Sequence, residues 1–198
     1  MFKRVPDSDV VQCWPTPLYL EDLESSIDNA ALREALLNDE RNLPSSKNSN
    51  ATAWQSPDDL LIRHAALLAG VTQAIQRAMS RINAVVGVID DGSSTWRAEA
   101  WATICRAGNH HDTHLHHGAI WSGTYYVEVP QLRLADESGE GAIEFLDPCH
   151  SARRCEATFR IVPRPGLLVL FPSWLQHWVR PHKQVGPRIS IAFNLRCD

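Results

Sequence analysis

The stretch "GLLVLFPSWLQHWVRPHKQVGPRISIAFN", Gly166 to Asn194, holds two strand signals separated by a turn-rich link. Leu167 to Phe171 is a short apolar run bounded by Gly166 and Pro172, as expected of a strand buried on both faces. The second signal alternates with period two. Arg188, Ser190, Ala192 and Asn194 share one face, and Ile189, Ile191 and Phe193 share the other. If the polar face lines the interior of a barrel, Arg188 is a buried cation and needs an anion. A small dicarboxylate would supply it, because guanidinium grips a carboxylate through two parallel hydrogen bonds and Ser190 can add a hydroxyl.

The same grammar of short β-branched and aromatic runs between Gly and Pro turns extends back to Thr95. It predicts strands over 96–106, 120–129, 141–146, 157–162, 166–171 and 187–195, with the acidic "ADESGEG" as a hairpin loop. Many short strands at such spacing make a sandwich or jelly roll. Upstream, the pattern is helical. Asp28 is placed to cap a short amphipathic helix carrying Ala31, Leu32, Leu36 and Leu37. Ser56 and Pro57 are placed to open a long one reaching Val86, with Gly70 as its only flaw. The Ser- and Asn-rich segment from Leu43 to Trp54 reads as a loop, or a lid. The expected fold class is therefore mainly β with supporting α, as a single domain over 1–198: a helical buttress over 1–92 and a β core over 93–198.

At 198 residues the chain can bury one substantial core, and 44% hydrophobic against 21% charged residues places it with globular rather than disordered chains. A net charge of −4 with no lysine or arginine block argues against a nucleic-acid partner, whose phosphates demand neutralisation. The five cysteines form no CxxC pair, so reduced thiols and a cytoplasmic setting are expected. The N-terminal stretch lacks an apolar signal-like run and no segment is long enough to span a bilayer, so no membrane partner is expected.

Histidine is concentrated in "GNHHDTHLHHGAIWSGTYYV", Gly108 to Val127. Imidazole suits iron, zinc, nickel and copper, and two histidines at i and i+2 on a strand end project to one side. His114 and His116 meet that requirement just before the 120–129 strand. Taken with His177 and the Arg188-x-Ser190 pair further on, they form a metal-plus-oxoacid pattern. Trp121 and Tyr125 are candidates for lining a cofactor or substrate pocket, and Asn194 shares the Arg188 face. His111 and His117 are expected beside the site or in solvent, and His150 and His182 in loops.

Beyond these residues, the chain resembles the 2-oxoglutarate/Fe(II)-dependent oxygenases, in particular a bacterial group of about this size. The likeness runs through "PTPLYLEDL", "ATAWQSPDDL", "HLHHGAIWSGTYYV", "GAIEFLDP", "PGLLVLFPSWLQHWVRP" and "RISIAFN", in that order. The resemblance implies a double-stranded β-helix of the jelly-roll or cupin-like kind, with Fe(II) and 2-oxoglutarate as cofactors. It makes His177 the distal metal ligand and assigns 2-oxoglutarate to Arg188 and Ser190; Tyr125 is a further candidate for cofactor binding by its place on the 120–129 strand. The implied reaction consumes molecular oxygen, releases succinate and CO2 and uses a ferryl oxidant on a small molecule, amino acid or peptide. The departure is at the carboxylate, since the family normally ligates iron with two histidines and one acid. Two main registers stand: a three-histidine set, His114, His116 and His177, or the ordinary triad, His110, Asp112 and His177; a water in place of one of the near pair is a third variant.

Two rival readings use the same residues. A cupin-type three-histidine metalloenzyme needs no 2-oxoglutarate, but the expected glutamate is absent because positions 120–121 are Ile-Trp. A non-catalytic metal-binding domain needs no role for Arg188 at all.

Overall fold

The computed structural model describes residues 2–4, 11–13, 15–46, 52–87, 95–130, 139–149 and 158–197. In chain order the elements are β1 (Phe2–Arg4), β2 (Val11–Cys13), β3 (Tyr19–Asp22), α1 (Asn29–Asn42), β4 (Trp54–Gln55), α2 (Leu60–Arg63) and α3 (Ala69–Val86). There follow β5 (Trp96–Cys105), β6 (His111–His114), β7 (Trp121–Glu128), β8 (Ile143–Leu146), β9 (Thr158–Ile161), β10 (Leu167–Pro172), β11 (His177–Val179) and β12 (Arg188–Cys197).

A six-stranded sheet in the order β3-β10-β7-β12-β5-β4 faces a four-stranded sheet in the order β6-β11-β8-β9, and all the strand pairs are antiparallel. The crossed strand order is that of a double-stranded β-helix. β12 occupies the middle of the larger sheet, where Arg188 lies opposite Cys105 of β5 and Ser190 lies between Thr103 of β5 and Tyr126 of β7. The N-terminal half does more than buttress this core, because β3 and β4 close the two edges of the larger sheet.

Two apolar layers follow from strand periodicity. Ile189, Ile191, Phe193 and Leu195 of β12 join Ala100, Ala102 and Ile104 of β5 against the helices, which contribute Leu32 and Leu36 from α1 and Val71, Ala74, Ile75, Ala78 and Ile82 from α3. The last five recur at helical spacing and form one stripe. Each large aliphatic side chain buried there contributes about 1.5–3 kcal/mol relative to exposure. On the opposite face of β10, Leu167, Val169 and Phe171 meet Ile143, Phe145, Ile161 and Val179 between the sheets. The smaller sheet's outer face buries Glu144, whose Oε1 accepts from Arg160 and Arg180 at 2.6 and 2.8 Å.

Asp28 caps α1 as anticipated, its Oδ1 accepting the Ala31 N–H. The long helix expected from Ser56 is instead broken into α2, a turn over 64–68, and α3. Ser56 caps neither helix. Its N–H donates to the Ala102 carbonyl and its hydroxyl accepts the Ala102 N–H, so it extends the β4–β5 edge. The following segment is tied to α1, where Asp39 accepts from Arg63 and His64. Of the predicted loops, residues 47–51 and 131–138, which take in most of "ADESGEG", lie outside the described residues, as does His150. No described helix is long and apolar enough to cross a membrane.

Gly123 shows how tightly β7 and β12 are packed. A Cβ there would collide with Phe193 Cζ and lie 2.5 Å from the Val169 carbonyl oxygen. Backbone cannot yield as a flexible side chain can, so Gly123→Ala is expected to cost about 1–3 kcal/mol through overpacking. Urea unfolding measures this, and an unchanged midpoint would contradict it.

Candidate metal and anion site

The pocket between the sheets is lined by residues from both. His111, His114, His116 and His177 come from the β6 and β11 side, and Arg188, Ser190, Ala192, Tyr126, Thr124, Thr103, Trp101 and Gln55 from the larger sheet. Candidate ligand atoms of His114, His116 and His177 all lie within 4.8 Å of one another. His114 stands directly opposite His177 in the β6–β11 ladder, with ring centroids 4.4 Å apart, and the His116 ring stacks on His177 at 5.2 Å.

Local structure explains the convergence. His114 pairs with His177 and His111 with Val179, so β6 spends three steps where β11 spends two. An extra residue of this kind bends a strand and re-aims its side chains. In a regular strand residues three apart face opposite ways, whereas here His111 and His114 both line the pocket. His116 lies beyond the end of β6, and its N–H donates to the Ser173 carbonyl at 2.9 Å. The expected i, i+2 projection from one strand end is thus replaced by one strand residue and one loop residue that meet.

The rings are oriented by backbone. Nδ1 of His114 lies 2.7 Å from the Asp112 carbonyl and Nδ1 of His177 lies 2.9 Å from the Leu175 carbonyl. A carbonyl only accepts, so each Nδ1 carries the proton and Nε2 keeps its lone pair for a metal. Burial pushes the His177 imidazole down to about 3 and His116 down to about 4, with the neighbouring His114 adding to both. His111 is also held well below its ordinary value by burial and then by Arg188. Neutral imidazole is the ligand form, so the donor set fits a borderline divalent cation such as Fe(II).

Arg188 is 2% exposed. Its Nη1 donates to the Gly141 carbonyl at 2.9 Å and its Nη2 to Cys105 Sγ at 3.1 Å, while Nε has no partner. No acid among the described residues pairs with it. A buried cation held only by a carbonyl and a thiol lacks the counter-charge that offsets its desolvation. Ser190 is buried in the same wall.

Other assignments change. Tyr125 does not reach the pocket: period two turns it toward the helices, where its hydroxyl donates to Asn29 Oδ1 at 2.8 Å. Trp121 faces the same way and donates from Nε1 to Asn83 Oδ1 at 2.9 Å. The pocket residue of β7 is Tyr126, which burial pushes up to about 12. Alternation with Ser122 and Thr124 was the signal for it. Asn194 shares the Arg188 face but lies outside the pocket and accepts from the Ser122 hydroxyl at 2.8 Å. His110 and Asp112 pair with each other at 3.4 Å, 44% and 74% exposed, and neither lines the pocket. His117 is exposed, whereas His182, though in a loop, is wholly buried. Gln55, Trp101, Thr103 and Cys105 carried no signal in the sequence reading.

A double-stranded β-helix with clustered imidazoles between its sheets defines the jelly-roll metalloprotein class. Within it, residues 99–194 match a family model described as "Putative 2OG-Fe(II) oxygenase". From β5 to β12, just under half of the chain, the sequence is therefore similar to the 2-oxoglutarate/Fe(II)-dependent oxygenase family. No curated protein sequence matches the chain. Among solved structures it is similar to a Pseudomonas putida prolyl-4-hydroxylase, with 16% identity, a TM-score of 0.62, and 91% of this chain and 92% of that one covered. It is also similar to a Trichoplax adhaerens prolyl hydroxylase in complex with a hypoxia inducible factor peptide fragment, with 16% identity, a TM-score of 0.64, and 90% and 83% covered. A third is HygX of Streptomyces hygroscopicus with nickel and 2-oxoglutarate bound, with 12% identity, a TM-score of 0.59, and 91% and 83% covered. At these identities the likeness is one of fold.

Proposed function

We propose that the protein is a 2-oxoglutarate- and Fe(II)-dependent dioxygenase in which His114, His116 and His177 hold the iron and Arg188 with Ser190 holds the co-substrate. The observation that carries this reading is a buried guanidinium without an acid partner, in the same pocket as three converging imidazoles. Bound iron would supply oxygen activation coupled to the oxidative decarboxylation of 2-oxoglutarate to succinate and CO2. The chain supplies the rest. Carbonyls of Asp112 and Leu175 fix two imidazole tautomers, Arg188 takes the distal carboxylate, and Ser190 adds a hydroxyl hydrogen bond. Phe171, Ile143 and Val179 wall the pocket and keep water from it.

Three imidazoles bring no negative charge, so this centre is one charge more positive than a set containing a carboxylate. That weakens the electrostatic hold on Fe(II) and strengthens attraction for a dianionic co-substrate. A cupin-type enzyme without 2-oxoglutarate, or a non-catalytic metal-binding domain, leaves the buried Arg188 unexplained. The proposed substrate is a small molecule, amino acid or peptide. HygX has been solved with hygromycin B bound and the Trichoplax enzyme with a peptide, so proteins of this fold are found with either class. Free thiols at Cys105 and Cys149 support a reducing, cytoplasmic setting.

Anaerobic titration of metal-free protein with Fe(II), then 2-oxoglutarate, tests the reading. A weak visible charge-transfer band on adding the second ligand is the expected result. Iron binding without that band would favour the cupin-type alternative, and no iron binding would remove the metal site altogether.

A further inference from the structure

The Arg188 guanidinium is held by groups whose chemistry matters for what it can bind. Buried arginines are ordinarily positioned by aspartate or glutamate, which fixes the planar fork and also cancels its charge. Here the cross-strand neighbour of Arg188 is Cys105, and the two contacts on the guanidinium are Cys105 Sγ at 3.1 Å and the Gly141 carbonyl at 2.9 Å. Cys105 is fully buried, and Nε2 of His111 also lies 3.5 Å from its sulfur. The thiol therefore contacts both an arginine and a histidine that line the pocket.

Building on the dioxygenase reading, we propose that Cys105 is a positioning residue for the co-substrate. It orients Arg188 without an internal carboxylate, so that the guanidinium keeps its charge for the distal carboxylate of a five-carbon 2-oxo diacid. Sulfur is a weak acceptor with a large radius, able to reach the guanidinium without competing with a carboxylate for it. The unpartnered Nε–H of Arg188 remains for the ligand. An aspartate in place of Cys105 would make the same contact and also complete the ion pair internally, leaving the pocket without its electrostatic demand for a dianion.

The test uses two 2-oxo acids that differ at the relevant end. Both 2-oxoglutarate and pyruvate offer the metal a 2-oxo carboxylate, but pyruvate lacks the distal carboxylate. Their dissociation constants are measured anaerobically by calorimetry on Fe(II)-loaded wild type, Cys105→Ser, Cys105→Ala, Cys105→Asn and Cys105→Asp. Cys105→Ser should retain near-native 2-oxoglutarate affinity. Cys105→Ala should weaken it about tenfold, the scale of one hydrogen bond to a charged group. Cys105→Asp should weaken it at least about tenfold beyond Cys105→Asn, which matches it in size but not charge. Pyruvate and Fe(II) affinities should be unchanged throughout. Equal 2-oxoglutarate affinity in the Asp and Asn variants would overturn the proposal, as would a parallel loss of pyruvate binding, which marks a merely structural role. A wild type that binds 2-oxoglutarate no better than pyruvate would overturn the dioxygenase reading itself.

Discussion

His177→Ala is expected to lower Fe(II) affinity by more than about two orders of magnitude while leaving the fold intact. Losing even the hydrogen-bond partner of a metal ligand costs about 10–100-fold, and this substitution removes a donor at the centre of the cluster. His177 packs against both other imidazoles and against Phe171, with ring centroids 4.4, 5.2 and 4.7 Å away. Its loss therefore breaks every pairwise contact but one within the three. His114→Ala should behave alike, whereas His110→Ala and Asp112→Asn, which alter a pair outside the pocket, should bind iron as the wild type does. Metal analysis after anaerobic loading, with far-ultraviolet circular dichroism as the control for folding, separates the two registers. Undiminished Fe(II) binding in His177→Ala would remove that residue from the centre, and a loss in His110→Ala, Asp112→Asn and His177→Ala with His114→Ala unaffected would restore the ordinary triad.

Arg188→Met should abolish the co-substrate band and leave Fe(II) binding in place. Truncating one partner of a buried, hydrogen-bonded charge pair typically costs about 2–5 kcal/mol, or roughly 30- to several-thousand-fold in affinity. The same change should have the opposite effect on the ligand-free protein. Without an anion, Arg188 carries an uncompensated desolvation penalty, and replacing buried charge with an apolar side chain of similar volume is often neutral or stabilising by about 1–4 kcal/mol. The expected signature is a melting temperature equal to or above that of the wild type, with 2-oxoglutarate no longer able to raise it. Retention of the band in Arg188→Met would place the carboxylate elsewhere.

From residue 96 onward strand positions and side-chain facing were largely legible, β6 and β11 apart, because period two is a local property. The Arg188, Ser190, Ala192 and Asn194 face read from the sequence is the face that lies opposite the helices. The same rule, applied to β7, would have exchanged Tyr125 for Tyr126. Tyr125 was instead chosen by residue type, and its hydroxyl is spent on Asn29. The β6 bulge was not legible, since an extra residue shows only against the partner strand. Residues contributed by the N-terminal half were invisible for a related reason. Gln55 reaches the pocket through the two-residue strand β4, too short to leave a periodic signal, and Ser56 resembles a helix cap until Ala102 is set beside it. Cys105 looked like any buried thiol, and only cross-strand pairing places it against Arg188.

The imidazole cluster belongs to the four-stranded sheet and its loops, whereas Arg188 and Ser190 belong to the six-stranded one. No backbone ladder joins the two among the described residues, so their separation is gauged by the bulk of the side chains between them, chiefly Phe171, Ile143 and Val179. Under the proposed function, the hydrophobic filling is in that sense a caliper for a co-substrate that touches both jaws. Trimming a methyl group there would register as a change in which diacid spans the gap, far from any group that carries charge.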